Sequence, residues 1–404
     1  MPSLRIAIPA MDELDYLPAT LDALSIQDTK LPFEVYVCVN QPDAFWSLPE
    51  KKIVCENNQK LLKSLHSYKS FPLHVLDYAS PGLGWKGKRS GVGFARKVLF
   101  ERILSECAPN DIVVSLDADT LVKSHYLQSV ADQFERKSWL NALAVPYYHL
   151  LSGDDETRNR SMLRYEIYMR NYAVNLLRIH SPYGFTALGS AIAMRAGSLR
   201  KIGNITPLQS GEDFYLIQKF CKMGGLSLFN TECVYPAGRY SDRVPFGTGP
   251  AMQTGTNGNW ESYPIYHHSF FKPILEAYGH LKEIYENRLT ISENDFLRFL
   301  QKDSNKPDIW QEIRHNVSDY PHFVKAFHQK ADGLRVLQYV REKHRQHPEK
   351  EANALYDNLQ QWISGKCPTW IKPSKSWHQY SVDQLNTIRN LLFHEETQLR
   401  HDYG

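Results

Sequence analysis

The chain has no excess of charge of either sign. Across 404 residues the formal net charge is only +3, with the signs interspersed, so nothing in the balance calls for nucleic acid as a partner. The six cysteines, at positions 38, 55, 107, 221, 233 and 367, form no CxxC pair and no compact framework, which excludes a disulfide scaffold and reads as buried thiols in a reducing compartment. Without paired Cys or His spacing, zinc is not expected. No G-x-S-x-G occurs and no cysteine stands in a catalytic context, so a nucleophilic triad is unsupported. No uninterrupted apolar run approaches the roughly 18 residues of a membrane span. The segment Met1-Pro2-Ser3-Leu4-Arg5-Ile6 enters a strand at once, without the basic stretch and apolar run of a signal peptide. A cytoplasmic protein is the expectation, with peripheral membrane contact left open. Internal repeats and low-complexity tracts are also missing.

What is present is alternation. Strands are expected over Leu4 to Pro9, Phe33 to Asn40, Leu73 to Asp77 and Ile112 to Leu116. Helices are expected from Glu13 to Leu24, where Leu14, Leu17, Leu21 and Leu24 recur at helical spacing, and from about Gly91 to Glu106. Such alternation predicts an α/β fold with a mostly parallel sheet and helices on both faces, in one large unit with an appendage or in two domains. A long helix is expected from about Asp154 to Ile179, bearing arginines 158, 160, 164, 170 and 178, most of them lining a solvated face. In the small-residue segment Leu188 to Arg195, Gly189 would let a ligand approach the backbone. Gly211-Glu212-Asp213 precedes a helix to about Lys222, stopped by Gly224-Gly225. Arg239 to Asn259 reads as a loop able to order over a ligand. Beyond Phe270 the composition is helical.

Ligands of open α/β sheets collect at the carboxyl ends of the strands, which here carry Pro9-Ala10, Asn40, Asp77 and Asp117-Ala118-Asp119. Asp117 and Asp119, two apart in an extended chain, point to one side. Their mutual repulsion calls for a cation or a donor between them. A divalent metal, Mg²⁺ or Mn²⁺, suits hard oxygen ligands and shares its shell with substrate phosphates, so the implied substrate is a phosphate or diphosphate ester. A solvated acidic turn is the alternative. Gly82-Leu83-Gly84-Trp85-Lys86-Gly87-Lys88-Arg89 nearly spells a P-loop, but Arg89 stands where Ser or Thr must hold Mg²⁺. What remains is Lys86, Lys88 and Arg89 before a helix, suited to a diphosphate or simply a solvated basic loop. Glu212-Asp213 reads either as an acidic first turn favoured by the helix dipole or as the source of a general base. His267-His268 reads as an imidazole for metal or diphosphate, or as packing.

Taken together, the motifs resemble glycosyltransferase family 2, inverting enzymes of the GT-A fold, over about residues 4 to 260. The opening strand and turn Arg5 to Glu13 are similar to the family's PxxNE segment, with Asp12 for Asn. Gly91 to Lys97 resembles the "ARN" helix, with Lys97 for Asn, and Asp117-Ala118-Asp119 the DXD motif. Gly189 to Arg195 resembles the acceptor-side segment, and Glu212-Asp213 the ED motif. The resemblance implies a GT-A domain over 1–265, with a nucleotide-binding half to 120 and an acceptor half beyond, and a mainly helical extension over 266–404. It implies that Pro9, Ala10, Glu13, Asn40, Asp77, Lys86, Lys88, Arg89, Asp117 and Arg243 serve the nucleotide-sugar. Asp119, with Asp117 and His267, would serve Mn²⁺ or Mg²⁺, and Asp213, with Glu212 second, would be the general base. The implied reaction is a single transfer, since the QxxRW motif of processive synthases is missing, from a UDP- or GDP-sugar to a hydroxyl on a glycan, lipid-linked or small-molecule acceptor. A sugar nucleotidyltransferase and a non-catalytic nucleotide-sugar-binding family member remain the alternatives.

Overall fold

A computed structural model describes residues 2–87, 90–153, 155–208, 211–241, 247–288, 293–302, 308–363, 365 and 367–401. Lys88, Arg89 and Arg243 lie outside the described residues. The chain falls into two compact units, one of Met1–Met162, Thr186–Gly258 and Arg400–Gly404, the other of Leu163–Phe185 and Asn259–Leu399.

In the first unit, β1 (Leu4–Ala10), β2 (Phe33–Asn40), β3 (Leu73–Tyr78), β4 (Ile112–Ser115), β6 (Ala142–Ala144), β7 (Ile192–Arg195) and β8 (Leu226–Leu228) form a seven-stranded sheet of order β3-β2-β1-β4-β7-β6-β8. The first four strands run parallel, and β7 is antiparallel to both its neighbours. The sheet is the mostly parallel α/β architecture that the alternation predicts. Leu4, Ile6 and Ile8 of β1 and Val35, Val37 and Val39 of β2 are all fully buried. Each such side chain contributes on the order of 1.5–3 kcal/mol by leaving water, and a strand covered on both faces needs the near-continuous apolar run seen here. A second, two-stranded sheet pairs β5 (Thr120–Leu121) antiparallel with β9 (Tyr235–Pro236).

The helices of this unit are α1 (Leu17–Ser25), α2 (Lys52–His66), α3 (Val92–Glu106), α4 (Tyr126–Arg136), the start of α5 (Glu156–Arg178), α6 (Ala196–Lys201), α7 (Glu212–Met223) and α8 (Thr248–Thr256). Helix α1 begins four residues later than the leucine spacing predicts. Pro18 lies in its first turn, where a missing N–H costs nothing. The residues before it form a turn in which Asp12 adopts φ +59°. Asn58 Oδ1 accepts from the Asp12 N–H, and Asn57 donates to the Asp12 carboxylate, both at 2.9 Å. Left-handed backbone costs most side chains about 1–2 kcal/mol and glycine nothing. Asp12→Ala should therefore be less stable than Asp12→Gly by about 1 kcal/mol in urea unfolding, since both lose the carboxylate and only the alanine adds strain.

The second unit is helical, from Lys272–Gly279 onward, around a core that includes Trp310, Phe327, Tyr339, Phe296 and Ile274. It also takes the later part of α5, and there the expected solvated arginine face is corrected. Arg170 is fully buried, donating to Glu166 at 2.6 Å and to Glu396 at 2.6 Å. Arg164 is buried between the rings of Trp260 and Trp377, 4.9 and 4.5 Å from their centroids. A helix enclosed on several sides can keep such cations only by pairing or stacking them. No helix among the described residues is long and apolar enough to cross a membrane, and none of the six cysteines is in a disulfide.

Candidate active site

Strand β4 ends at Ser115, and Leu116, whose N–H donates to the Ala7 carbonyl, carries the chain to Asp117 at the edge of the sheet. Arg96 comes from the first turns of α3, which packs on β1 and β2. Its guanidinium is buried; Nη2 donates to Asp117 Oδ1 and Nη1 to Glu212 Oε1. Glu212 opens α7, and its side chain is only 2% exposed. One cation thus joins the end of the fourth strand to the start of a helix distant in sequence. A Cβ on Gly189 would fall 1.8 Å from Arg96 Nη2. The close approach expected at Gly189 is therefore made by the Arg96 side chain, a correction to the ligand reading.

Asp119 is held by a second arginine. Arg239 Nε donates to Asp119 Oδ2 at 2.7 Å and Nη2 to Glu13 Oε1 at 2.5 Å, and the guanidinium lies over the Tyr16 ring, 4.1 Å from its centroid. The backbone enforces this meeting. Asp119 directly precedes β5, Arg239 closely follows β9, and the Ala237 N–H donates to the Asp119 carbonyl at 3.0 Å. Among the described residues, Asp117 and Glu212 thus share the Arg96 guanidinium, and Asp119 and Glu13 share that of Arg239.

Asp213 follows Glu212 in the first turn of α7. Burial and the neighbouring Glu212 charge push its carboxyl up to about 7, while Arg96 and the Phe214 N–H pull it down. A carboxyl in that range titrates at the pH where a base is most useful. Arg96 and Arg239 stay protonated, their burial outweighed by the carboxylates beside them.

Other residues predicted for the site have structural work. Asn40 is buried, donating to the Ala10 carbonyl at 3.0 Å and accepting from the Trp85 indole at 3.1 Å. Asp77 Oδ1 accepts from the Ala79 and Ser80 N–H groups, both at 2.9 Å, closing a turn at the end of β3. Pro9 and Ala10 lie buried at the end of β1, and Lys86 is exposed. His267 belongs to the second unit, its ring nitrogens facing Ser269 Oγ at 2.7 Å and Asp357 at 3.2 Å; burial and the adjacent His268 lower its basicity. Motif reading includes Arg96 in the "ARN" helix without giving it a role, and gives none to Arg239. Arg96 carries a usable signal, because it falls on the buried stripe of α3 with Ala95, Leu99, Phe100 and Ile103. Arg239 carries none, since only the β5–β9 pairing brings it to Asp119.

The hard carboxylate oxygens of Asp119 and Asp117 are the donor type that Mg²⁺ or Mn²⁺ takes. Among the described residues no three His, Cys, Asp or Glu side chains form a ready-made cage.

No protein-family model matches the chain, and no curated protein does. Among solved structures the chain is similar to S. aureus TarS residues 1–349 in complex with UDP-GlcNAc, at 14% identity and TM-score 0.41, over 85% of this chain and 92% of that one. It is likewise similar to the same protein in complex with UDP, at 13% identity over 99% of this chain and 91% of that one, with TM-score 0.40.

Proposed function

We propose that the protein is an inverting, metal-dependent glycosyltransferase that moves one sugar from a nucleotide-diphosphate sugar to an acceptor hydroxyl. The observation that carries this reading is the Arg96 bridge, which sets the donor-side carboxylate Asp117 and the helix start Glu212-Asp213 around one buried cation. Donor-side and base-side groups then meet at a single point, as direct displacement requires.

In the proposed reaction the Asp213 carboxylate accepts the proton of the acceptor hydroxyl. The hydroxyl oxygen forms a bond to the anomeric carbon, the bond from that carbon to the diphosphate oxygen breaks, and its electron pair leaves with the nucleoside diphosphate. Attack and departure on opposite faces invert the anomeric centre. Asp119 and Asp117 would hold Mg²⁺ or Mn²⁺, which when bound supplies positive charge to the leaving diphosphate. Lys86 is placed in the same basic segment that the sequence offers to the diphosphate. Arg96 pairs with Glu212 and restrains the upward shift of Asp213, so that a useful fraction is deprotonated near neutrality.

A thermal-shift series tests the reading. A ligand at a hundred times its Kd adds roughly 2.7 kcal/mol to the native state, a rise of several degrees for a chain of this size. UDP or GDP with Mn²⁺ should raise Tm in the wild type by that order, and Asp119→Ala should abolish the rise. No shift with either nucleotide, or an undiminished shift in the variant, would overturn it.

A further inference from the structure

Arg239 occupies the carboxylate to which the metal is assigned. Its Nε donates to Asp119 Oδ2, its Nη2 to Glu13, and its plane rests on Tyr16. The three partners come from two segments, the β1–α1 turn and the end of the DXD segment, while Arg239 itself belongs to the stretch after β9. A guanidinium hydrogen-bonded to a carboxylate oxygen and a divalent ion coordinated by the same oxygen exclude each other through charge and space. A diphosphate, by contrast, offers a guanidinium the paired oxygens it binds best.

We propose, on the basis of the transferase reading, that Arg239 is an internal counter-cation that competes with the divalent metal for Asp119, and that the donor's diphosphate relieves this competition by taking over the guanidinium. Without donor, Arg239 neutralises Asp119 and Glu13 and metal binds weakly. With donor, the guanidinium moves to the phosphates, Asp119 is released to the metal, and the two ligands strengthen each other's binding. Such coupling is reciprocal, and its usual range is about 5–150-fold. The arrangement would keep the metal from settling in an enzyme that has no donor to activate.

Mn²⁺ binding to the full chain, followed by the electron paramagnetic resonance of the free ion, tests this with and without saturating UDP. In the wild type, UDP should tighten Mn²⁺ by on the order of tenfold or more. Arg239→Gln should bind Mn²⁺ alone severalfold tighter than the wild type, bind UDP more weakly, and show a smaller coupling than the wild type, limited to what direct phosphate ligation supplies. Arg239→Lys, which keeps the charge, should return Mn²⁺ affinity toward wild type. Lys60→Gln, which removes an exposed cation of α2, should leave Mn²⁺ binding without UDP unchanged, separating a latch from a general loss of positive charge. Unchanged or weaker Mn²⁺ binding in Arg239→Gln, with wild-type circular dichroism, overturns the competition and leaves the transferase reading intact. A wild type that binds no UDP overturns both.

Discussion

Replacing Arg96 by Met is expected to cost about 3–5 kcal/mol of folding stability, the usual penalty for removing one partner of a buried ion pair and stranding the other charge. The stranded group is Glu212, whose side chain is 2% exposed and whose partner is the Arg96 guanidinium. Urea unfolding of wild type and variant measures the loss. Gly189→Ala should act in the same direction without touching a charge, because its Cβ would stand 1.8 Å from Arg96 Nη2 and a buried, doubly paired guanidinium has nowhere cheap to move. A loss below about 1 kcal/mol in both variants would mean that the bridge is a surface pair of little consequence. In whatever fraction of Arg96→Met folds, Asp213 should titrate at higher pH than in the wild type, since the Arg96 charge pulls the Asp213 pKa down.

Asp213→Asn is expected to reduce kcat by on the order of 10²–10⁴, the usual contribution of a positioned base, while nucleotide binding is kept. The sign of the pH dependence follows from which form works. The ionised carboxylate accepts the proton, and its pKa is pushed up to about 7 by burial and by Glu212. The wild-type rate should therefore rise with pH through about 7 and level off above it, and the residual rate of Asp213→Asn should lack that inflection. Full turnover in the variant, or a wild-type rate that falls as pH rises through this range, would remove Asp213 from the role of base.

Most of the first half of the sheet is legible in the sequence because parallel strands buried on both faces must be continuously apolar: β2 over Phe33–Asn40 and the runs at β1 and β4 stand out for that reason, while β3, at the edge of the sheet, is half-buried throughout. Helix α2 does not stand out. Its buried face holds Cys55, Leu61, Leu62 and Leu65 but also Asn58, which donates to Gln41 at 2.8 Å and so breaks the apolar stripe for a structural purpose. Helix α8 hides in a Gly- and Thr-rich stretch whose composition favours loops. At the site, Asp117, Asp119, Glu212 and Asp213 were visible as acidic pairs at element ends. The arginines that pair with them were not, because the contacts form between segments far apart in sequence. The same logic explains α5, where Arg164 and Arg170 follow a polar pattern along the chain while tertiary packing buries both.

The most direct measurement of the central claim is the fate of the anomeric carbon. Incubated with an α-linked UDP-sugar, Mn²⁺ and either an acceptor or water alone, the enzyme should release UDP and form first the β-configured sugar product, followed by proton NMR before mutarotation. Retention of the α configuration, or turnover only of a nucleoside triphosphate and a sugar phosphate with release of pyrophosphate, would contradict it.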